Sequence, residues 1–358
     1  MMNLEKTVDA VREIFCSISR PVRLMEVCGT HTVAIFRHGI RELLPEDIKL
    51  LSGPGCPVCV TSIRDVDTVI AIAGQKDVII TTFGDMMRVP GERKTLFHAK
   101  SEGADIRVVY SPLDALALAV KNPGKKVVFF ASGFETTSPL VAGTLAEAEQ
   151  KKIDNFYIHP VLKTVPPALR ALLQDPALKI DGFILPGHVT TIIGLRPYGF
   201  ISSEFRKPAV VAGFDAADIL NAILMLLQQI KDDNPSVQNG YPKVVREEGN
   251  PRAVSLLNEF FEPADAYWRG IGTLRDSGLV LREKYAHRDI AGVVDVQVAD
   301  GKEPAACSCG DVLKGIKIPT DCPLFGKVCT PDKPVGACMV STEGSCAAYY
   351  KYKGISDL

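Results

Sequence analysis

The sequence has no surplus of charge of either sign: 41 Lys and Arg against 42 Asp and Glu leave a formal net charge of −1 over 358 residues. Without excess positive charge nothing general neutralises phosphates, which argues against nucleic acid as the main partner. Long hydrophobic runs are missing too. The most apolar stretch, residues 219–230, is too short to span a bilayer and contains Asn221, Gln228 and Gln229. The opening MMNLEKTVDAVREIF has Glu5, Lys6 and Asp9 where a secretory signal needs its apolar region. A cytoplasmic chain without a membrane anchor is expected. No Walker A sequence occurs, and Gly53-x-Gly55 starts like a dinucleotide fingerprint but has Val58 where glycine belongs.

What is present suits a large soluble α/β protein. Hydrophobic residues make up 46% and charged residues 23%, and a chain this long can bury a core without staples. Short, continuously apolar runs rich in Val and Ile occupy residues 23–27, 48–51, 78–82, 106–110, 127–131, 156–159, 182–185 and 209–212. Strands buried on both faces of a parallel sheet read this way. Helical patterns lie between them, at 33–44, 63–73, 113–120, 139–149 and 216–230. The last starts at Asp215, with Asp218 placed like a capping partner. Three strands end in a Gly/Phe pair followed by an acid: Phe83-Gly84-Asp85, Gly133-Phe134-Glu135 and Gly213-Phe214-Asp215. Such turns lie at the carboxyl ends of strands, where open α/β sheets bind ligands.

The fold expected is α/β, with two similar parallel-sheet domains plus a smaller Cys-rich domain. Polar breaks at 122–126 and 231–242 suggest the division: an N-terminal helix in residues 1–21, one α/β domain in 22–123, a second in 124–235 and a metal-supported domain in 236–358. The N-terminal helix, 4–15, is a candidate to pack on that last domain.

Ten cysteines are present, six of them between Cys307 and Cys346. In a reducing compartment, clustered cysteines bind metal or do redox chemistry. Cys322, Cys329, Cys338 and Cys346 sit among Pro and Gly at separations that match neither a zinc ribbon nor the ferredoxin run. Four thiolates suit zinc or a [4Fe–4S] cluster. Apolar neighbours such as Leu324, Phe325 and Val328 would shield a cluster; buried, inert thiols are the bland alternative.

Gly53-Pro54-Gly55-Cys56-Pro57-Val58-Cys59 joins a strand to a helix, with Thr61 or Ser62 as N-cap. A helix N-terminus favours thiolate, so Cys56 and Cys59 are candidates for a disulfide or a shared metal. Cys28-Gly29-Thr30-His31 ends another strand. Its Cys and His could be nucleophile and base, or soft metal ligands. His188, in Pro186-Gly187-His188, could add an imidazole.

Six segments in order then resemble one family: MEVCGTHT, LLSGPGCPVCVT, FGDMMRVPG, ASGFETTSP, LPGHVTTIIG and the closing CPLFGKVCTPDKPVGACMVSTEGSCAAYYKY. The chain resembles the HypD family of [NiFe]-hydrogenase maturation factors from about residue 22 to residue 352. The resemblance implies a scaffold on which the Fe(CN)2CO unit of the hydrogenase is assembled as transient cargo. It implies partnership with the chaperone HypC and with HypE, which delivers cyanide from a carbamoyl precursor supplied by HypF. By motif, Cys28 becomes the iron ligand with His31 beside it. Cys56 and Cys59 become the redox pair, and Cys322, Cys329, Cys338 and Cys346 hold a [4Fe–4S] cluster. Cys309 also fits a family pattern and is an alternative fifth candidate without an assigned role; Cys307 and Cys16 are unassigned. Glu135, His188, Asp85 and Arg88 are candidates to contact the cyanides, from their strand-end positions.

Two rivals remain at this stage. A [4Fe–4S]-dependent dithiol–disulfide reductase would need the cluster and the CxxC pair but not Cys28 or a chaperone. A zinc-stabilised hydrolase would use Cys28 and His31 as nucleophile and base.

Overall fold

The computed structural model describes residues 4–353. The strands are β1 (Val22–Glu26), β2 (Ile48–Ser52), β3 (Val78–Thr82), β4 (Ile106–Val108), β5 (Lys126–Gly133), β6 (Phe156–Leu162), β7 (Gly182–Pro186), β8 (Ala209–Ala212), β9 (Val237–Asn239), β10 (Phe261–Trp268) and β11 (Gly272–Leu281). Every apolar run singled out in the sequence is a strand. They form two wholly parallel sheets, one in the order β2-β1-β7-β8-β9 and one in the order β4-β3-β5-β6. The α/β class with a Cys-rich C-terminal region is therefore as expected. Among the described residues no helix is long and apolar enough to cross a membrane.

The sheets do not follow one another along the chain. After β2 the chain leaves the first sheet, builds the whole second sheet through β6, and returns at β7. The expected division at 123/124 therefore falls inside the second sheet, where Ile80 of β3 is in register with both Ile106 of β4 and Val128 of β5. The polar segment 122–126 is only a helix-to-strand turn. The second break, 231–242, contains β9, an edge strand whose Val237-Gln238-Asn239 has too little apolar character to be read as one.

Alternation along each strand builds a core on each face. Leu24, Ile184 and Val210 face the helix Ala216–Lys231, whose Ile219, Ile223, Leu226 and Leu227 are buried as the helical periodicity implies. The N-terminal helix, Leu4–Cys16, buries Val8 and Val11 in that same core, so it packs on the first sheet's helix and not on the Cys-rich region. Met25, Leu51 and Phe183 point the other way and share a core with Cys329, Cys338, Cys346 and Tyr349. The Cys-rich region thus lies on one face of the first sheet. Each fully buried aliphatic or aromatic side chain here contributes roughly 2 kcal/mol. The helical pattern at 33–44 is two helices, Gly29–Arg37 and Ile40–Leu43, because Gly39 turns left-handed at φ 59°.

The hairpin β10–β11 is antiparallel, with a bulge between Ala264 and Ala266. It joins the second sheet's edge through a bridge from Lys163 to Gly278. Trp268 is fully buried at its end, stacked 5.7 Å from Phe134, and its indole N–H donates to Ser277 Oγ at 2.8 Å.

Candidate metal and thiol centre

The site is assembled where loops leaving β1 and β2 meet the C-terminal loops. Cys28 follows β1 and precedes the helix Gly29–Arg37, and Cys56 follows β2 and caps the single turn Pro57–Val60. The two loops touch directly: the Gly29 amide donates to Gly55 O at 3.2 Å. Gly55 is required for that approach, since a Cβ there would stand 2.3 Å from the Cys28 nitrogen and 2.5 Å from its Cα. From the C-terminal side, Glu343 Oε1 accepts from Thr30 Oγ1 at 2.8 Å. A Cβ on the neighbouring Gly344 would stand 3.1 Å from Cys59 Sγ.

Burial dominates the titration of this centre. Cys28 is pushed up to about 12, desolvation outweighing the help its thiolate receives from the His31 amide and Thr30. Behind it, Glu26 accepts the Cys28 amide at 3.2 Å and the Thr32 hydroxyl, yet desolvation still raises its carboxyl to about 7. His31 is held down to about 4, so its imidazole is neutral. Its Nε2 lies 2.9 Å from Gly213 O, and a carbonyl only accepts, so Nε2 carries the proton. That leaves Nδ1 a buried acceptor with no partner.

The ring of Phe214 lies between two imidazoles, 4.7 Å from His31 and 4.0 Å from His188. The third Gly/Phe/acid turn therefore fixes both histidines with its Phe. Its acid is less used: Asp215 makes no side-chain cap, and Asp218 takes the Asp215 amide.

Cys56 and Cys59 are both buried, and Cys56 Sγ accepts the Cys59 amide at 3.4 Å. Cys59 is raised well above the ordinary thiol range, by desolvation first and then by the thiols of Cys338 and Cys56. The thiolate-favouring helix N-terminus expected from the sequence is only one turn long here, too short to offset burial. The Ser62 cap, by contrast, is present: its Oγ accepts the Asp65 amide at 2.9 Å.

Cys338 is the hub of the sulfur network. It is fully buried, and hydrogen bonds from Cys309, Cys346 and Cys59 favour its thiolate. Cys309 also touches Cys307, and a Cβ on Gly336 would stand 2.4 Å from Cys309 Sγ. Cys329 Sγ accepts the Val335 amide at 3.3 Å. Cys322 is set further out, half-buried, its Sγ 4.0 Å from Ala306 O. Among the described residues no group of three or more His, Cys, Asp or Glu stands in preformed metal-site geometry. The donors are nonetheless all thiols with apolar neighbours, the chemistry an iron–sulfur cluster takes. Cys16 is exposed and distant in role from this network.

The remaining candidates divide. Glu135 is buried beside the start of the helix Val165–Gln174, its Oε1 accepting the Val165 amide at 2.8 Å and its Oε2 without a partner. Tyr198, fully buried, feels the charges of both Glu135 and Cys28 and is a neighbour that sequence patterning did not single out. Arg88 reaches the C-terminal loops instead, donating to Val340 O at 2.8 Å and Pro331 O at 3.4 Å. Asp85 shares its short 3₁₀ turn.

With this geometry in view, comparison with known proteins is decisive. A family model described as "HypD: Hydrogenase formation hypA family" matches residues 3–353. The chain belongs to the HypD family. It is similar to the hydrogenase maturation factor HypD of Rhodobacter capsulatus, 46% identical over 347 residues, covering 96% of this chain and 92% of that protein. The HypD of Escherichia coli K12 is 45% identical over 357 residues, 99% of this chain and 95% of the relative. A putative hydrogenase expression/formation protein of Methanocaldococcus jannaschii is 44% identical over 352 residues, 98% of each chain. The HypD resemblance drawn from the six segments is thereby borne out over nearly the whole chain.

Proposed function

We propose that this HypD-family chain acts in hydrogenase maturation as the scaffold on which the Fe(CN)2CO unit is assembled, together with a HypC chaperone and HypE as cyanide donor. The observation that carries the proposal is the convergence of three sulfur-bearing loops: the Cys28 loop bonded to the Cys56 loop through Gly29 and Gly55, and Cys59 against Cys338. The maturation-factor names of the relatives support the same role.

Cys28 is the anchor for the iron cargo. Low-spin iron carrying cyanide and CO takes soft thiolate donors. Because burial keeps the Cys28 thiol protonated, loading displaces its proton, and Nδ1 of neutral His31 is an acceptor close by in sequence and fold. Cys56 and Cys59 cycle between dithiol and disulfide. Closing the disulfide releases two electrons and two protons; opening it takes them back. Cys322, Cys329, Cys338 and Cys346 are proposed to hold a [4Fe–4S] cluster, which would be a one-electron donor or acceptor for that exchange. Cys338, touching Cys59, is the thiol that links the pair to that donor set. Glu135 and His188 line the approach to the cargo as candidate hydrogen-bond partners for cyanide.

The contact between Cys59 and Cys338 would serve a dithiol–disulfide reductase equally well, and one experiment separates the two readings. The protein is purified without oxygen, with its small chaperone co-expressed, and its infrared spectrum is recorded in the metal-bound CO and CN stretching region. Bands that vanish in a Cys28→Ala variant are expected. A brown, cluster-bearing protein with no such bands would overturn the scaffold reading in favour of the reductase.

A further inference from the structure

One buried cation plays no part in the sulfur chemistry. Lys163 follows β6 immediately and is only 3% exposed. Its amide bonds to Gly133 O at 3.0 Å, which holds it against the end of β5. Among the described residues its side-chain amine has neither hydrogen bond nor ion pair. It lines a cavity of about 640 Å³ between the carboxyl edge of the second sheet and the β10–β11 hairpin.

The opposite wall of that cavity includes the start of the helix Ile63–Ala73. Thr61 Oγ1 lies 3.2 Å from Ser132 Oγ at the end of β5, so helix start and Lys163 flank the same strand end. In its first turn the Asp65 amide is taken by Ser62 Oγ and the Val66 amide by Ser62 O. The amides of Ile63 and Arg64 have no acceptor among the described residues. An eleven-residue helix thus offers free N–H groups and its positive end to a cavity that also holds an unpaired amine.

The acids around the rim are largely spoken for. Asp300 pairs with Arg64 at 3.1 Å, Glu303 pairs with Arg269 at 3.1 Å, and Asp265 accepts the Asp276 amide at 3.0 Å. Asp65 and Asp265 line the cavity without an ion pair, and both stand beyond pairing distance of Lys163. Val161, Leu162 and Leu279 give the cavity an apolar side.

We infer that this cavity is a binding site for a small organic carboxylate, its carboxylate held by Lys163 and the Ile63 and Arg64 amides and its body lying on Val161, Leu162 and Leu279. Such a site is separate from the sulfur centre and does not depend on the metal chemistry. It nevertheless begins two residues after Val60, the end of the CxxC turn, and the Arg269 amide bonds to Val60 O at 3.0 Å beside it. Desolvation lowers the Lys163 amine below the ordinary lysine range, with Asp65 acting in the opposite direction. Half-buried His159 and Asp65 border the adjoining smaller cavity, and Arg64 faces both. A bound anion favours the ammonium form, so affinity falls as pH rises.

The test is calorimetric titration of the anaerobically purified full chain with sodium benzoate and sodium pyruvate, with sodium chloride as control. At least one carboxylate is expected to bind at millimolar concentration or tighter, and about tenfold more weakly to Lys163→Met, the loss expected for one charge-assisted hydrogen bond. Absence of carboxylate binding, or equal binding by the variant, overturns the inference. Should the variant not fold, acetylation of Lys163 in the wild-type protein is followed by peptide mass spectrometry. Protection by the carboxylate but not by chloride supports the site; no protection, or equal protection by chloride, overturns it.

Discussion

The clearest thermodynamic consequence of the centre concerns Glu135. Its carboxyl is fully buried, accepts the Val165 amide through Oε1 and leaves Oε2 bare, and burial, outweighing the bonds from the Val165 amide and its own, raises it from 4.5 to about 7. Below about pH 4.5 the group is protonated in folded and unfolded chains alike and costs nothing. As pH rises from there, the unfolded chain ionises while the folded one does not, so stability is lost until the folded group itself ionises near pH 7. At 1.36 kcal/mol per pH unit, the loss reaches roughly 3 kcal/mol. Glu135→Gln keeps an oxygen for the Val165 amide and cannot ionise. Its carboxamide N–H₂ replaces a protonated Oε2 that was also unpaired, so any packing offset is independent of pH. The variant's advantage in urea unfolding of the reduced, metal-free chain should grow by roughly 2.5 kcal/mol between about pH 5 and about pH 8. Glu26 titrates over a similar range but is unchanged in both proteins and cancels. Parallel stability curves for the two proteins, or a gap that narrows with pH, would refute the argument that Glu135 is a carboxyl kept neutral by burial.

Two further perturbations follow from contacts rather than charge. Gly55→Ala puts a Cβ into the Cys28 backbone, which cannot yield as a flexible side chain would, so a loss of about 3 kcal/mol and a melting point lower by roughly 6–12 °C are expected; an unchanged melting point would show that the two loops are not in contact. Arg88→Ala removes the bond to Val340 O and should cost about 1–3 kcal/mol locally. Hydrogen exchange should quicken in residues 331–340 while β1, β7 and β8 stay protected, and uniform protection would mean that Arg88 does not tie down the C-terminal loops.

How far the sequence discloses this structure depends on which force decides each element. Buried parallel strands are continuous apolar runs because both faces are covered, so β1 to β8 are visible without any partner. The hairpin is not: Phe261-Glu262-Pro263-Ala264-Asp265-Ala266-Tyr267-Trp268 mixes charges into a strand whose burial comes from tertiary packing of Trp268 and Phe261 alone. The order of the sheets is hidden for a different reason. Apolar runs say that a strand is covered, not which neighbour pairs with it, and β2 and β3 look alike although they belong to different sheets. The candidate thiols and both histidines were legible as residues with the right chemistry at strand ends. Tyr198 and Glu343 were not, since neither lies in a pattern that demands a function; only the folded chain brings them near Cys28 and Thr30.

The interleaved topology also explains why the sulfur centre needs the whole chain. β1 and β2 supply Cys28 and the CxxC pair, and β7 and β8 supply the turns that carry His188 and Phe214. The last fifty residues supply Cys309, Cys338 and Cys346. The second sheet lies between these contributions in sequence, yet its β5 delivers Ser132 and Glu135 to the same edge. Cutting the chain at the polar segment 122–126 would therefore separate β3 and β4 from β5 and leave Cys28 and Cys59 without Glu135 or Cys338. The centre is consequently a property of the assembled fold, with no consecutive stretch of sequence able to form it.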